Sequence, residues 1–193
     1  RAEGALYGWN MGGSSQQFYE EGIRNAQIEN ITADNARLVS NLHANLGGLY
    51  RMNGYPDLAR EHMEKSISLL DQFNLLHIND SIPQIANYAM FLTEQQEPER
   101  GISELQKLSG IIKEYHSDEC LDYAKVQETL GTIYLMTANL PQAKTHFKRA
   151  FKIYEKIWAD EPEMIEAKYQ EIQELYPQIG FCIGKNLSGL LTK

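Results

Sequence analysis

The sequence has few of the residues that small stapled, membrane-spanning or nucleic-acid-binding proteins depend on. Its 193 residues include two cysteines, Cys120 and Cys182, too few for a disulfide scaffold or a four-thiolate zinc site. No apolar run approaches the roughly 20 residues that span a bilayer. Lys and Arg number 18 against 26 Asp and Glu, and this net charge of −8 disfavours nucleic acid as a partner. Since the chain begins at Arg1 without a signal peptide, we expect a fragment or a processed product.

Residue patterns for catalysis are also missing. The five histidines form no His-x-x-x-His pair and no zinc motif flanked by Glu. The densest group of metal-ligating side chains is His116-Ser117-Asp118-Glu119-Cys120, which we interpret as a solvated turn between two helices. An enzyme needs a nucleophile, an acid–base pair or a metal set, and none is legible here. We therefore expect a non-catalytic protein with no metal and no cofactor.

What the sequence does contain is a repeat. One pattern occurs three times at a spacing of 42 residues, and its first positions are Leu46, Tyr88 and Leu130. A small residue follows 13 positions after each of them, at Ala59, Gly101 and Ala143. The apolar steps of three and four residues place these side chains on one helical face, and small residues let two helices approach closely. The pattern therefore predicts pairs of antiparallel helices.

Prolines mark the turn inside each predicted pair. Pro56, Pro98 and Pro141 fall where the second helix of each pair should begin, a position at which the missing N–H is harmless. Ser81, and either Ser117 or Asp118, are the N-caps that we predict for the first helices of the second and third pairs. Near the amino terminus, Ser14 or Ser15 is predicted to begin a further helix.

The pattern resembles the tetratricopeptide repeat, in which a Leu-Gly-x-x-Tyr helix precedes an Ala-x-x-x-Phe-x-x-Ala helix. The third repeat matches every position of that pattern, at Leu130, Gly131, Tyr134, Ala143, Phe147 and Ala150. The 42-residue period is similar to the longer kinesin-light-chain type of repeat. The resemblance implies an all-α fold, a right-handed superhelical array of antiparallel helix pairs, with degenerate capping helices.

The same spacing predicts the domain organisation. We expect a single helical domain over residues 1–193, with a partial repeat or a foreign segment at 1–33. Three repeats follow at 34–75, 76–117 and 118–159, and a carboxyl-terminal cap at 160–193. Ile172 and Tyr176 fall in the register of a fourth repeat, whose second helix the glycines after Pro177 would disrupt.

Residues 1–25 separately resemble a segment of the SusD family, glycan-binding lipoproteins of the outer membrane that also contain tetratricopeptide helices. The resemblance is carried by Arg1–Gly13 and by Phe18–Ile23. It implies an alternative function, glycan capture by a fragment of a polysaccharide-uptake system, with Tyr7, Trp9 or Trp158 as the stacking ring. The repeats alone imply a cytoplasmic protein, whereas the SusD resemblance implies the outer membrane or periplasm.

The repeat resemblance implies a concave groove that binds a peptide or protein segment. The groove residues that we predict are Asn45, Arg51, Asn87, Met90, Glu94, Lys125, Glu128 and Thr129, with Met136 as a further candidate. Asn45 and Asn87 are equivalent positions that either hold a peptide backbone or satisfy neighbouring helix ends. Lys125 and Asn87 match two positions of a carboxylate clamp, but the first repeat lacks its other two.

Two surface features complete the sequence-based expectations. The basic string on the last repeat helix is interpreted as a solvated outer face; its members are Lys144, Lys148, Arg149, Lys152 and Lys156. Self-association through the ends of the array, at Phe18, Tyr19 or residues 178–191, is a further expectation, because broken repeat ends expose apolar surface. The sequence predicts a protein or peptide partner, no nucleic acid and no membrane span.

Overall fold

A computed structural model of the chain describes residues 3–175, and every regular element in that range is an α-helix. The helices are α1 (Glu3–Glu29), α2 (Ala33–Met52), α3 (Pro56–Gln72), α4 (Ser81–Glu94), α5 (Pro98–Tyr115), α6 (Leu121–Met136), α7 (Leu140–Ile157) and α8 (Pro162–Leu175). The all-α class predicted from the repeat is confirmed. The second helix expected for a fourth repeat, and residues 178–191, lie outside the described range.

The same backbone turn joins the two helices of each pair, and it recurs every 42 residues. The peptide N–H of Tyr55, Glu97 and Asn139 donates to the carbonyl oxygen of the residue five positions earlier, at distances of 2.9, 2.8 and 2.7 Å. The residue just before each donor has a positive φ: Gly54 (78°), Gln96 (65°) and Ala138 (58°). This double hydrogen-bonded reversal is the Schellman motif, which ends a helix in a left-handed residue. The predicted period is therefore built into the backbone.

Prolines begin the second helices, as the sequence predicts. Pro56 and Pro98 are the first residues of α3 and α5, and Pro141 is the second residue of α7. The predicted N-caps of α6 are wrong. The cap is Cys120, whose sulfur accepts a hydrogen bond from the Tyr123 N–H at 3.4 Å.

The prediction of a helix that begins at Ser14 or Ser15 is also wrong, because α1 already begins at Glu3. Ser81 is likewise the first residue of α4 rather than a flanking cap. Its hydroxyl donates to the carbonyl oxygens of Leu76 and Ile78, at 2.6 and 2.7 Å, and so fastens the preceding turn.

Residue contacts divide the chain into two compact units, and the boundary between them along the sequence falls within α4, after Phe91. In the first unit, α2 and α3 run antiparallel, with Ser40 opposite Ser66 and His43 opposite His62. A β-carbon added to Gly47 would lie 3.2 Å from the Ala59 carbonyl oxygen, so the glycine allows the close approach that the pattern predicts.

Helix α1 packs on α2 in the first unit. Ile23 of α1 is buried with Leu42 and Leu46 of α2, and Tyr19 and Tyr50 pack against this cluster. Tyr19 is therefore engaged within the molecule, whereas 67% of Phe18 is exposed. Of the predicted self-association residues near the amino terminus, Phe18 is the one with a largely free side chain.

In the second unit, α6 lies between α5 and α7, and α8 follows α7. A β-carbon on Gly131 would lie within 3.0 Å of the Phe147 ring, so this glycine makes room for a buried aromatic side chain. Ile165 and Ile172 of α8 are buried, which agrees with the register predicted for a fourth repeat. The polar face of α7 holds the basic string, and all five of its cations are exposed, as the sequence predicts.

Candidate peptide-binding surface

In the first unit, the predicted binding residues lie on α2 and α4. Asn45 and Asn87 are exposed in the body of their helices, and neither amide forms a hydrogen bond with another residue of the described range 3–175. Arg51, in the last turn of α2, and Met90 on α4 are half-buried. Two equivalent amides with open donors and acceptors are therefore available to a ligand on this unit.

A buried polar network holds α4 against the α2–α3 pair beneath these amides. The side-chain oxygen of Gln84 accepts hydrogen bonds from the hydroxyls of Ser40 and Ser66, at 2.8 and 2.5 Å. The Gln84 amide nitrogen donates to the Asn41 side-chain oxygen at 2.5 Å. Because buried amides and hydroxyls are costly when unpaired, this network fixes the position of α4 on the pair.

An ion pair at the edge of the network extends it to the surface. The Arg37 guanidinium donates to Asp80 at 2.6 and 3.2 Å, and the Asn41 amide donates to the same carboxylate at 3.1 Å. Hydrogen bonds from Arg37 and Asn41 lower the pKa of Asp80. The turn before α4 is thereby tied to α2.

In the second unit, two of the predicted residues are already engaged within the molecule. The Glu128 carboxylate accepts a hydrogen bond from the Tyr154 hydroxyl at 2.5 Å and pairs with Lys168 at 2.9 Å. The Thr129 hydroxyl donates to the Lys125 carbonyl oxygen at 3.0 Å. Glu128 therefore joins α6 to α7 and α8.

Lys125 and Glu94 keep exposed charges. The Lys125 amine lies 4.0 Å from Asp122, a loose surface pair, and Glu94 is the exposed last residue of α4. Lys125 also borders a cavity.

That cavity has a volume of about 300 Å³ and lies where α6, α7 and α8 meet. Its wall is mostly apolar, with Leu121, Trp158 and Met164 beside the Lys125 stem. The Trp158 indole is stacked on Tyr154 at 4.9 Å between ring centroids, with the planes 10° apart. This cavity was not predicted from the sequence. Tyr154 and Trp158, an aromatic pair four residues apart at the end of α7, are a signal for it.

The ion pair between Lys168 and Glu128, next to the cavity, keeps Lys168 charged. Burial alone would lower the pKa of Lys168, but hydrogen bonds and charges from Glu128 and Glu171 outweigh burial and raise it. Burial and the Glu128 charge raise the pKa of Tyr154. Lys168 therefore stays protonated and Tyr154 stays a hydrogen-bond donor at neutral pH.

A second cluster that the sequence analysis missed lies inside the first helix pair. The Nδ1 atoms of His43 and His62 are 2.8 Å apart, and Tyr50 stacks on His62 at 5.4 Å between centroids. The Tyr50 hydroxyl donates to Glu20 of α1 at 3.1 Å. Burial and the charges of His62 and Lys65 lower the pKa of His43 to about 4, and burial lowers that of His62. Both rings are therefore neutral at pH 7, and one donates to the other.

The third repeat has the same arrangement at equivalent positions. Tyr134 stacks on His146 at 5.3 Å between centroids, and the Nδ1 atom of His146 lies 2.9 Å from the side-chain oxygen of Gln127. His146 and Tyr134 correspond to His62 and Tyr50, while Gln127 stands where the first repeat has His43. One partner of the histidine thus differs between the repeats.

The junction segment His116–Cys120 forms a turn, as predicted. The Ser117 hydroxyl accepts from the Glu119 N–H at 3.0 Å, and Asp118 pairs with Lys113 at 3.1 Å. Across residues 3–175, no three His, Cys, Asp or Glu side chains are grouped so that they could hold a metal ion. Within the same range, no helix has the length and apolar character that crossing a membrane requires.

Family models match two parts of the chain. Residues 81–156 match the tetratricopeptide repeat model. Residues 1–46 match the model of SusD and RagB outer-membrane lipoproteins, which extends the predicted resemblance of residues 1–25 through most of α2. No curated protein matches the sequence.

Solved structures match the fold. BtubC (BKLC) from P. vanneervenii superposes with a TM-score of 0.71 at 19% identity, over 88% of this chain and 66% of that one. The nearly identical TPR-like repeats of a Podosopora anserina protein described as a kinesin light chain superpose with a TM-score of 0.64 at 12% identity, over 77% of this chain and 69% of that one. The chain thus spans just under two thirds of the length of the first structure. Residues 81–156 are thus similar to tetratricopeptide repeats, and the fold is similar to that of these two solved structures.

Proposed function

We propose that the protein is a non-catalytic module that binds peptide or protein segments on the first helices of its repeats, which are α2 and α4 in the first unit and α6 in the second. The observation that carries the proposal is the pair of equivalent amides, Asn45 and Asn87, exposed within one unit and without intramolecular hydrogen bonds in the described range. An Asn side chain offers a donor and an acceptor, so it can hold a peptide unit of any sequence. Tetratricopeptide repeats are protein-binding helical modules, and the match over residues 81–156 supports this reading.

The cavity beside Lys125 adds an apolar anchor point on the second unit. About 300 Å³ is enough for one large side chain, and Trp158 and Met164 offer it an aromatic and a thioether surface. We expect ligands of this site to carry an apolar side chain, with the Lys125 amine beside it as a partner for a carboxylate.

The proposal is tested by panning a phage-displayed random peptide library on the full chain and measuring the selected peptides by fluorescence anisotropy. Asn45→Ala combined with Asn87→Ala should weaken their binding by about tenfold, since two hydrogen-bonding groups are lost. Gln72→Ala with Gln106→Ala, two exposed amides on the second helices, is the matched control and should change nothing. Circular dichroism should show equal helicity for both variants. A library that yields no binder, or peptides that bind both variants equally, would contradict the proposal.

Glycan binding is the second candidate, and the family match over residues 1–46 favours it. Calorimetric titration of the full chain with oligosaccharides separates the candidates. Heat that disappears on Trp9→Ala or Trp158→Ala would support glycan capture, whereas peptide binding without such heat would support the first proposal.

A further inference from the structure

Helix α7 concentrates positive charge in an acidic protein. Five of the 18 Lys and Arg residues of the chain lie on this one helix, and Glu155 is its one acidic residue. The protein as a whole carries a net charge of −8. All five cations, Lys144, Lys148, Arg149, Lys152 and Lys156, are exposed. The helix therefore presents a local positive field that the composition does not suggest.

The repeat plan does not require this charge. The equivalent positions in α3 are Arg60, Glu64, Lys65, Ser68 and Gln72. Those in α5 are Ile102, Gln106, Lys107, Gly110 and Glu114. Lysines spaced four residues apart on a helix repel one another, so the arrangement in α7 opposes helix stability. These like charges destabilise the helix and occur in one of the three repeats, so folding does not explain them. Binding of a ligand would.

Four of the five cations border a cavity in the second unit. It has a volume of about 410 Å³, and Lys148, Arg149 and Lys152 of α7 line one side, with Lys113 of α5 on another. The buried side chains of Tyr123 and Ile153 also line it. It shares no lining residue with the cavity beside Lys125. The basic cavity is thus a separate feature from the proposed peptide-binding surface.

Carboxylates already occupy part of the basic cavity. Asp118 pairs with Lys113 at 3.1 Å, and Glu119 pairs with Lys156. The hydrogen bond from Lys113, and to a lesser degree the charge of Arg149, lower the pKa of Asp118. Lys148, Arg149 and Lys152 form no hydrogen-bonded ion pair with any residue between 3 and 175. The cavity therefore already binds carboxylates of its own chain, and three of its cations, those of Lys148, Arg149 and Lys152, remain available to further carboxylates.

We propose that this cavity, with the basic face of α7, binds an Asp- and Glu-rich segment of a partner protein. Spare cations beside carboxylates that are already bound are complementary to further carboxylates. The net charge of −8 opposes a long polyanion such as nucleic acid, whose affinity depends on many simultaneous phosphate contacts. The acidic residues Asp118 and Glu119 at the cavity oppose a flat anionic membrane. Both effects oppose a short acidic peptide less, because it carries few charges and its chain can bend around the two carboxylates.

The test uses the full chain and a fluorescein-labelled hexaglutamate peptide, with anisotropy as the readout. We expect saturable binding that weakens as salt is added, because exposed charges are screened. Lys148→Gln combined with Arg149→Gln and Lys152→Gln should lower the affinity by about tenfold or more. The matched control is Arg24→Gln with Lys65→Gln and Lys107→Gln, which removes the same charge from other exposed positions and should leave the affinity within about twofold.

Several outcomes would overturn the proposal. Equal losses in the two triple variants would mean that net charge alone attracts the peptide, and absence of binding at low salt would exclude the site. Tighter binding of duplex DNA or of phosphatidylserine vesicles, lost in the α7 variant, would assign the surface to phosphate-bearing polyanions instead. Asn45→Ala with Asn87→Ala should leave hexaglutamate binding unchanged, so the fate of the first proposal and of this one can be distinguished.

Discussion

The first and third repeats share one plan but use different polar chemistry at equivalent positions. Where α4 meets the first repeat, Gln84 joins the hydroxyls of Ser40 and Ser66. Where α8 meets the third repeat, 84 residues later, Lys168 occupies the position of Gln84 and pairs with Glu128. Ala124 and Ala150 stand where the first repeat has its serines. The repeat pattern therefore fixes where a polar junction is placed, but not whether it is neutral or ionic.

The interior histidines differ in the same way. His62 and His146 stack on equivalent tyrosines, but the first has a second histidine as its partner and the third has Gln127. An amide oxygen is an acceptor at any pH, whereas a histidine can accept a hydrogen bond on Nδ1 only while that atom is unprotonated. Burial also lowers the pKa of His146, but the first repeat holds two such histidines and is therefore the more pH-sensitive copy of the cluster.

The ionic junction should be the more fragile of the two. Lys168→Met leaves the Glu128 carboxylate largely buried without its cation, so we expect the free energy of unfolding to fall by about 3 kcal/mol. Gln84→Met, at the neutral junction, should cost about 1–2 kcal/mol, because it removes hydrogen bonds but no charge. Urea denaturation of both variants measures the difference. Glu128→Leu combined with Lys168→Met should recover most of the loss, and equal costs at the two junctions would contradict the comparison.

Acid should destabilise the first repeat through its histidine pair. The pKa of His43 is lowered to about 4 in the folded protein, below the ordinary value of 6.5, so the unfolded chain takes up the proton first. The stability due to the neutral ring is complete above pH 6.5 and is lost as the pH falls toward 4. We expect a loss of about 2 kcal/mol between pH 7 and pH 5.

His43→Gln gives the first repeat the partner that the third repeat uses. It should remove the part of the pH dependence that comes from His43, leaving that of His62, while the protein stays folded at pH 7. Gln127→His should increase the pH dependence of the third repeat, where His146 alone supplies it in the unaltered chain. Thermal denaturation at several pH values compares both variants with His116→Gln, an exposed control. An unchanged pH profile for His43→Gln would show that other groups cause the acid sensitivity.

The smallest effect is expected at the turns. Gly54 occupies the left-handed position of the first turn without strain, whereas Ala138 adopts φ 58° at the equivalent position of the third. Ala138→Gly should raise the free energy of unfolding by about 0.5–1 kcal/mol, since relief of the β-carbon clash exceeds the added freedom of the unfolded chain. Gly54→Ala should lower it by a similar amount. Denaturant midpoints measure both, and a destabilised Ala138→Gly variant would disprove the strain.

The fold was largely predictable because the same pattern of apolar and small residues occurs three times, and each occurrence indicates the same helix pair. Spacing and prolines located the turns, and small residues such as Ala59 identified the packed face. The start of α1 was predicted wrongly. Serine is a common N-cap residue, so Ser14 and Ser15 indicated a helix start, but α1 begins at Glu3 and both serines lie within it. Cys120 was overlooked as a cap because sulfur is a weak acceptor next to Ser117 and Asp118.

The candidate surface was less predictable, because spacing gives the face of a helix but not the partners within reach. Asn45 and Asn87 stand on their helices with free amides in the described range, as a groove residue requires. Glu128 satisfied the same pattern, yet Lys168, 40 residues later, reaches its carboxylate. Whether such a residue is open to a ligand depends on long side chains from other helices, and the pattern within one repeat does not predict where those side chains reach.

The left-handed reversal at residues 54, 96 and 138 has a consequence for how such a chain can lengthen. The hydrogen bonds of each reversal lie within its own six residues. Each reversal can therefore form independently of the sequence before and after it. A tandem copy of one 42-residue block would bring its own reversal and preserve the phase of every later helix. An insertion inside a helix that is not close to a whole number of turns would instead rotate the part of the helix that follows it, so growth by whole blocks leaves existing contacts intact.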